Sequence, residues 1–263
     1  MRHNPIVFVT WGLLLLAYLE YLLAKKRGMH VYSRSHTLTT IGLTIGHLFV
    51  ALTIVHEFLI YVDSSIPNKL FTFPAGLFWG ICAFLALDFL RYIAHRMSHK
   101  IGILWAEHAV HHASVEFNLT THLRTGWVVF MSNGMLVAVI CCFVGGLYTV
   151  LVIYYFIQFF VQSLAHSQLI HKMGILESFM VTPSHHRVHH SADRAVHDHN
   201  YGTIFIVWDK LFGTFKPEGP IQTTEFGLAY APEAEAPLWK HAFFAWIDLI
   251  KGYANKALNA SRI

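Results

Sequence analysis

Residues 126–165 contain no charged side chain over 40 consecutive positions, and this stretch restricts the folds open to the chain. As a single helix it would measure roughly 60 Å, about twice the hydrocarbon thickness of a bilayer. The Gly145-Gly146 pair offers a natural break near its middle. We therefore predict two membrane-spanning helices, over about 126–144 and 147–165.

Three further apolar runs come before this stretch, over about 5–24, 38–62 and 73–93. The first lacks a strongly basic start and a small-residue cleavage site, which favours a retained span over a cleaved signal peptide. Only 13% of the residues are charged, against about 25% in a typical soluble domain. We predict one all-α integral membrane domain, residues 1–263, with about four to five transmembrane helices.

The distribution of basic residues predicts the orientation of these spans. With the N-terminus outside, only Arg2 and Lys69 of the 19 basic residues lie outside, which fits the excess of Lys and Arg in cytoplasmic loops. The histidine-rich parts 95–124 and 166–216 then form a cytosolic helical cap, and an amphipathic helix over about 237–250 lies along the interface. We expect a multi-pass protein of the bacterial inner membrane or the endoplasmic reticulum.

Fourteen of the 20 histidines fall between His95 and His199, and eight of these form three clusters at helical spacing. Helical spacing places the members of a cluster on one face, and imidazole is the commonest metal ligand in proteins. Three clusters are too many for one ion and about right for two, so we predict a di-metal site. The candidate ligands are His95, His99, His108, His111, His112, His186, His189 and His190.

His166 ends the last predicted span, where an unpaired polar group is costly, and it is a ninth candidate ligand. Further ligands or outer partners could come from His122, His171, His185, Asp88 and Asn118. For Asp88 the argument is spacing, since it lies two helical turns before His95. Glu107, Glu116, Asp198 and Asn200 are other candidate outer partners. We expect His47 and His56 to be packing residues, and His3, His30, His36 and His241 to lie on the surface.

The sequence argues against several other classes of protein. No long basic run indicates nucleic-acid binding, and three cysteines without C-x-x-C spacing do not indicate a disulfide framework or a thiolate metal site. A membrane metal transporter or metal-binding protein remains an alternative, although a transporter's ligands would lie within the spans. A zinc-dependent membrane hydrolase is a second alternative, although no H-E-x-x-H motif occurs.

Four segments resemble the fatty acid hydroxylase/sterol desaturase superfamily, most closely its alkylglycerol monooxygenase-like branch. They are DFLRYIAHRMSH, LWAEHAVHHASVEFNLTTHLR, TPSHHRVHH and NYGTIFIVWDKLFGTF, within roughly residues 73–215. The resemblance implies a membrane-embedded di-metal oxygenase, nominally diiron, with its site on the cytosolic face. It marks the eight clustered histidines as ligands and supports His166.

The resemblance implies hydroxylation or desaturation of an unactivated C–H bond in a fatty acyl, sterol or ether lipid. O2 is the co-substrate and two iron ions are the cofactor, although zinc would fill the same imidazoles. Because no cytochrome or reductase module is recognisable, we expect a separate electron donor, such as a ferredoxin, a cytochrome b-type protein or a reductase. The sequence indicates neither the substrate nor the oligomeric state.

Overall fold

The chain is described by a computed structural model that covers residues 5–220 and 222–260, and these residues fold mainly into helices. Short 3-10 turns and a π-helical turn join or extend them, and two two-residue strands complete the fold. The α-helices are α1 (Pro5–Lys26), α2 (Arg34–Val50), α3 (His56–Ser64), α4 (Leu77–Lys100), α5 (Gly102–His112), α6 (Asn133–Cys142), α7 (Tyr148–Ala165), α8 (Pro183–His189), α9 (Val207–Leu211) and α10 (Leu238–Ala260). The strands are β1 (Phe71–Thr72) and β2 (Val144–Gly145).

Within the described residues, three helical segments are long and apolar enough to cross a bilayer. They are α4, α7 and the continuous segment Arg34–Ser64, in which the π turn Ala51–Val55 joins α2 to α3. Helix α1 coincides with the first predicted run. Large apolar side chains such as Phe49, Ile81 and Ile153 face outward, as contact with lipid requires. The chain is an all-α membrane protein, as predicted.

The fourth predicted span, 126–144, is α-helical only in part, because its α-helix is limited to α6. Its ten residues measure about 15 Å, half of a hydrocarbon core. The preceding backbone is bound by side chains instead: Gly126 O lies 2.9 Å from His47 Nδ1, and Val128 N donates to Glu107 Oε2 at 3.1 Å. Irregular backbone is tolerated at membrane depth where protein groups satisfy it, and a hydropathy count does not detect this.

The two strands fix the relative direction of the helices that follow them. β1 and β2 pair in parallel, Phe71 with Val144 and Thr72 with Gly145, and Gly146 turns the chain at φ +76°. Since β1 leads into α4 and β2 leads into α7, both helices start at one end of the bundle and finish at the other. Their C-terminal ends therefore lie together, and we call this the histidine end.

Helix α10 begins one residue into the predicted amphipathic segment 237–250 and continues to Ala260, and its apolar face packs on protein. Ala242 and Ala245 lie in a core with Leu43 of α2 and Ala109 of α5. The prediction of a surface position for His241 is wrong, because its side chain is buried against Arg124 Nη2 at 3.3 Å. His30 is exposed as expected, whereas His36 is only part exposed and His3 lies outside the described residues.

Candidate metal centre

Nine histidines meet at the histidine end in two groups, and within each group the ring nitrogens lie within 4.8 Å of one another. They are the nine candidates from the sequence. Group one consists of His95, His99, His108, His112 and His189, and group two consists of His111, His166, His186 and His190. Each group combines residues from several helices, so neither can form before the helices pack.

The groups do not follow the sequence clusters, because neighbouring histidines on a helix point about 100° apart. On α5, His111 faces group two while His108 and His112 face group one. On α8, His189 faces group one while His190, at its C-cap, faces group two. The two H-x-x-H-H motifs therefore lie between the groups and contribute to both.

The outer ring nitrogens of several histidines lie against backbone carbonyl oxygens. His95 Nδ1 lies 2.9 Å from Tyr201 O, and His189 Nδ1 lies 2.8 Å from His199 O in group one. In group two, His111 Nδ1 lies 3.2 Å from Arg124 O, and His166 Nδ1 lies 2.6 Å from Gln162 O. A carbonyl oxygen only accepts hydrogen bonds, so these Nδ1 atoms hold the proton and leave an Nε2 lone pair facing the group.

This protonation pattern is what a bound cation requires. His111 Nε2 and His166 Nε2 are 3.2 Å apart, and because both rings donate through Nδ1, both of these atoms are acceptors. Two facing lone pairs cannot hydrogen-bond, but each can bind a metal ion placed between them. Among the described residues, the buried atoms without a hydrogen-bond partner include His99 Nε2, His189 Nε2 and His190 Nε2.

Burial also keeps the imidazoles outside the spans neutral, as metal binding needs. Burial, followed by the charges of neighbouring histidines, lowers the pKa of His111 to about 3. Burial likewise lowers the pKa of His189 to about 4, because a low-dielectric surrounding disfavours the charged ring. The same cause holds the pKa values of His108, His112, His186 and His190 well below their usual range.

The other three candidate histidines lie outside both groups. The His122 ring is 5.8 Å from that of His166 and faces a neighbouring cavity. The His171 side chain is exposed. His185 points to Thr182, with Nδ1 3.2 Å from its hydroxyl, and its ring lies on Phe215. Its direction follows from the 100° step that separates it from His186.

Asp88 and Asn118 stabilise loops instead of contacting a histidine. Asp88 accepts hydrogen bonds from Tyr154 Oη, Ile204 N, Phe205 N and Trp208 Nε1, at 2.8–3.2 Å. It thereby fixes the segment just after Tyr201, whose carbonyl faces His95. Asn118 caps the 3-10 turn Leu119–Leu123 and donates to Val31 O at 2.6 Å.

The other candidate outer partners differ in whether they lie near a histidine group. Asp198 Oδ1 lies 3.8 Å from His99 Nδ1, so it faces group one. Glu107 lines the cavity beside His108, and burial raises its pKa to about 7. Asn200 joins His185 O to Lys216 O.

Sequence reasoning missed one buried ion pair behind group two. The Arg187 guanidinium donates to both Glu218 carboxylate oxygens, at 2.8 and 2.7 Å, and both side chains are fully buried. It also donates to the carbonyl oxygens of Ser167, Ile170 and His171, at 2.7–3.1 Å. Arg187 thus ties α8 to the loop that follows His166. Its place between two histidine pairs was the only signal available in the sequence.

Cavities open on two sides of the histidine groups. On the side of the spans, a cavity of about 110 Å³ reaches both groups and is lined by polar side chains that include Arg91, Asn133 and Gln158. On the other side, a cavity of about 170 Å³ reaches His99, His112, His189 and His190. The two cavities share no lining residue, so the histidine groups border two separate spaces.

The fold and the site define a class of protein: a helical membrane protein with a double histidine site at one end of its bundle. Comparison with known families matches residues 80–214, just over half of the chain, to the fatty acid hydroxylase family. The chain belongs to this family. The predicted superfamily resemblance is confirmed.

Named relatives agree with this placement. An alkylglycerol monooxygenase of Homo sapiens is 34% identical over 194 residues, which are 72% of this chain and 43% of that protein. An alkylglycerol monooxygenase of Caenorhabditis elegans is 37% identical over 66% of this chain and 34% of its own length. An ornithine lipid hydroxylase of Rhizobium tropici is 26% identical over 78% of this chain and 62% of its own.

The chain spans less than half the length of these alkylglycerol monooxygenases. No solved structure matches it.

Proposed function

We propose that this protein is a membrane di-metal oxygenase, nominally diiron, that hydroxylates or desaturates an unactivated C–H bond of a lipid with O2. The observation that supports this most directly is the facing pair of acceptor nitrogens on His111 and His166, 3.2 Å apart. A purely structural cluster of histidines would alternate donors and acceptors. The names of the family and of its relatives support the choice of a lipid substrate.

In this proposal, group one holds one ion and group two holds the other. Bound iron would supply the activation of O2 and the removal of hydrogen from the substrate. Group one offers five imidazoles and group two offers four, an all-nitrogen set that suits iron and also accepts zinc. The Nδ1 contacts with carbonyl oxygens fix ring orientation, so the site is pre-organised before an ion binds.

The protein itself binds the substrate, orients it and excludes water. The cavity on the side of the spans is the natural place for the reacting carbon, since it touches His95 and His108 of group one and His111 and His186 of group two. A lipid reaches this cavity from the bilayer, in which α4 and α7 are embedded. Positioning of the C–H bond then decides between addition of one oxygen and loss of two hydrogens.

We further propose that the histidine end faces the cytosol, in the bacterial inner membrane or the endoplasmic reticulum. The prediction rests on the excess of basic residues in short segments such as 25–27. This orientation would also let a separate cytosolic electron donor, such as a ferredoxin, a cytochrome b-type protein or a reductase, reach group one.

Lipid mass spectrometry of a host that expresses the protein tests this function. We expect one lipid class to gain one oxygen or lose two hydrogens, and a His111→Ala variant to lose this product. His30→Ala is the matched control, because the same substitution falls on an exposed histidine. Metal flux into proteoliposomes would indicate a transporter, and lipid cleavage without O2 would indicate a hydrolase; either result without oxidation would overturn the proposal.

A further inference from the structure

An oxygenase of the proposed kind needs electrons from outside, and this inference rests on that proposed function. Hydroxylation consumes R–H, O2, two electrons and two protons, and it yields R–OH and water. The substrate C–H bond supplies only two of the four electrons that O2 accepts. Three histidines of group two, His166, His186 and His190, are buried, whereas His99 and His108 of group one are part exposed. His111 of group two is also part exposed, but it faces the cavity proposed for the lipid. Group one is therefore the shorter way in for electrons.

Three aromatic side chains other than histidine pack against the two groups in the described part of the chain. Tyr201 contacts group one and Phe117 contacts group two, but both are almost fully buried. The third, Trp105, is only part buried. Its indole ring lies 5.0 Å from the ring of His99 and 5.4 Å from that of His112, between ring centroids.

Trp105 connects group one to the protein surface through one hydrogen bond. Its Nε1 donates to Tyr230 Oη at 2.9 Å, and the Tyr230 side chain is 47% exposed. This hydrogen bond joins two elements far apart in sequence, α5 and the segment before α10. The chain from Tyr230 through Trp105 to His99 is thus a continuous line of contacts from solvent to group one.

Trp105 also forms the wall between two spaces. On its inner side is the cavity of about 170 Å³ that contains His99 and His112. On its outer side is a surface groove of about 380 Å³ between α5 and α10, lined also by Tyr230 and by the small residues Gly102 and Gly252. Small residues leave the aromatic rings accessible, so a redox group can approach Trp105 and Tyr230 closely from outside.

We propose that Trp105 and Tyr230 are the route by which an external one-electron donor reduces the metal pair. Two successive transfers take two ferric ions to the ferrous state while two donor molecules are each oxidised by one electron. The side chains shorten the gap that the electron crosses, and neither is itself oxidised. The groove around Tyr230 receives the redox group of the donor, and it shares no lining residue with the cavity proposed for the lipid.

Anaerobic stopped-flow reduction of the iron-loaded, air-oxidised protein tests this route. The donor is photoreduced ferredoxin, and the readout is the loss of ferric absorption. We expect Trp105→Leu to reduce the rate by about tenfold or more, the lower end of what loss of a group around a metal site costs. Tyr230→Leu, which is farther from the candidate ligands, should also slow reduction. Both variants should keep their full iron content, measured on the same samples.

Trp239→Leu is the matched control, since Trp239 is 49% exposed and does not contact either group. Trp105→Phe tests the route if Trp105→Leu fails to fold, because it keeps the ring but loses the hydrogen bond to Tyr230. A wild-type reduction rate in Trp105→Leu at full iron content would overturn the route. If that variant does not fold, wild-type rates in both Tyr230→Leu and Trp105→Phe would overturn it. Absence of bound iron in the wild-type protein would instead refute the proposed function.

Discussion

Replacement of Arg187 with methionine removes the connection behind group two while keeping a side chain of similar length. The guanidinium makes five hydrogen bonds, two to Glu218 and three to carbonyl oxygens of the loop after His166. Without it, Glu218 remains buried with one backbone donor, Thr223 N at 2.9 Å. The carboxylate charge then has no cation beside it.

Loss of one partner from a buried ion pair costs about 3–5 kcal/mol, because the remaining charge stays desolvated. The carbonyl oxygens that lose their donors add to this cost. At about 2–4 °C per kcal/mol, we expect the unfolding temperature to fall by roughly 6–20 °C. The double variant Arg187→Met/Glu218→Leu should be less destabilised than Arg187→Met, since it removes the unpaired charge as well.

Thermal unfolding in detergent, followed with the metal content of each variant, measures this effect. Arg194→Met is the control, because Arg194 is exposed. We expect Arg187→Met to lose metal from group two before group one. A change in the free energy of unfolding below about 0.5 kcal/mol, the range of surface substitutions, would refute the role of Arg187 as the connection between α8 and the His166 loop.

Three further predictions concern pH, a loop and the irregular segment. Burial lowers the pKa of His111 to about 3 and of His189 to about 4, so below the ordinary value of 6.5 only the unfolded chain takes up these protons. The free energy of unfolding of the metal-free protein should therefore fall by about 1.4 kcal/mol per pH unit for each histidine as the pH falls from 6.5 towards 4. An unfolding temperature that stays constant from pH 7.5 to 5 would contradict this. Asp88→Asn should lower the free energy of unfolding by about 1.5–3 kcal/mol, because an amide cannot accept hydrogen bonds from all four donors. An unchanged unfolding temperature would show that Asp88 does not stabilise the loop after Tyr201. Gly126→Ala should lower the free energy of unfolding by about 1–3 kcal/mol through overpacking, since the new methyl would overlap the Glu107 carboxylate. In a Glu107→Ala background, where this overlap is absent, Gly126→Ala should cost less than it does in the wild-type chain.

The sequence predicted the parts of this protein that depend on local pattern. Hydropathy located α1, α4, α7 and the segment Arg34–Ser64. Helical spacing identified eight of the nine histidines that meet in two groups, and the end of the last span identified the ninth, His166. The division into groups was not predictable, because it depends on how α5 and α8 face each other. The 100° step along a helix points His111 away from His112 and His189 away from His190, and the packing of the helices decides which group each of them joins.

Long-range contacts account for the remaining differences. The shortness of α6 depends on Glu107 and His47, which bind the backbone before it from two other helices. Asp88 has the correct helical phase for His95, but Tyr201 O occupies the outer side of that ring instead. Arg187 and Glu218 are 31 positions apart, so no local pattern could pair them.

The central claim is that the two histidine groups hold two separate ions. An anomalous difference map measured at the iron absorption edge, from crystals of the iron-loaded protein, tests it most directly. We expect two peaks per chain, one among the Nε2 atoms of group one and one among those of group two. A single peak, or peaks away from these histidines, would contradict the di-metal site.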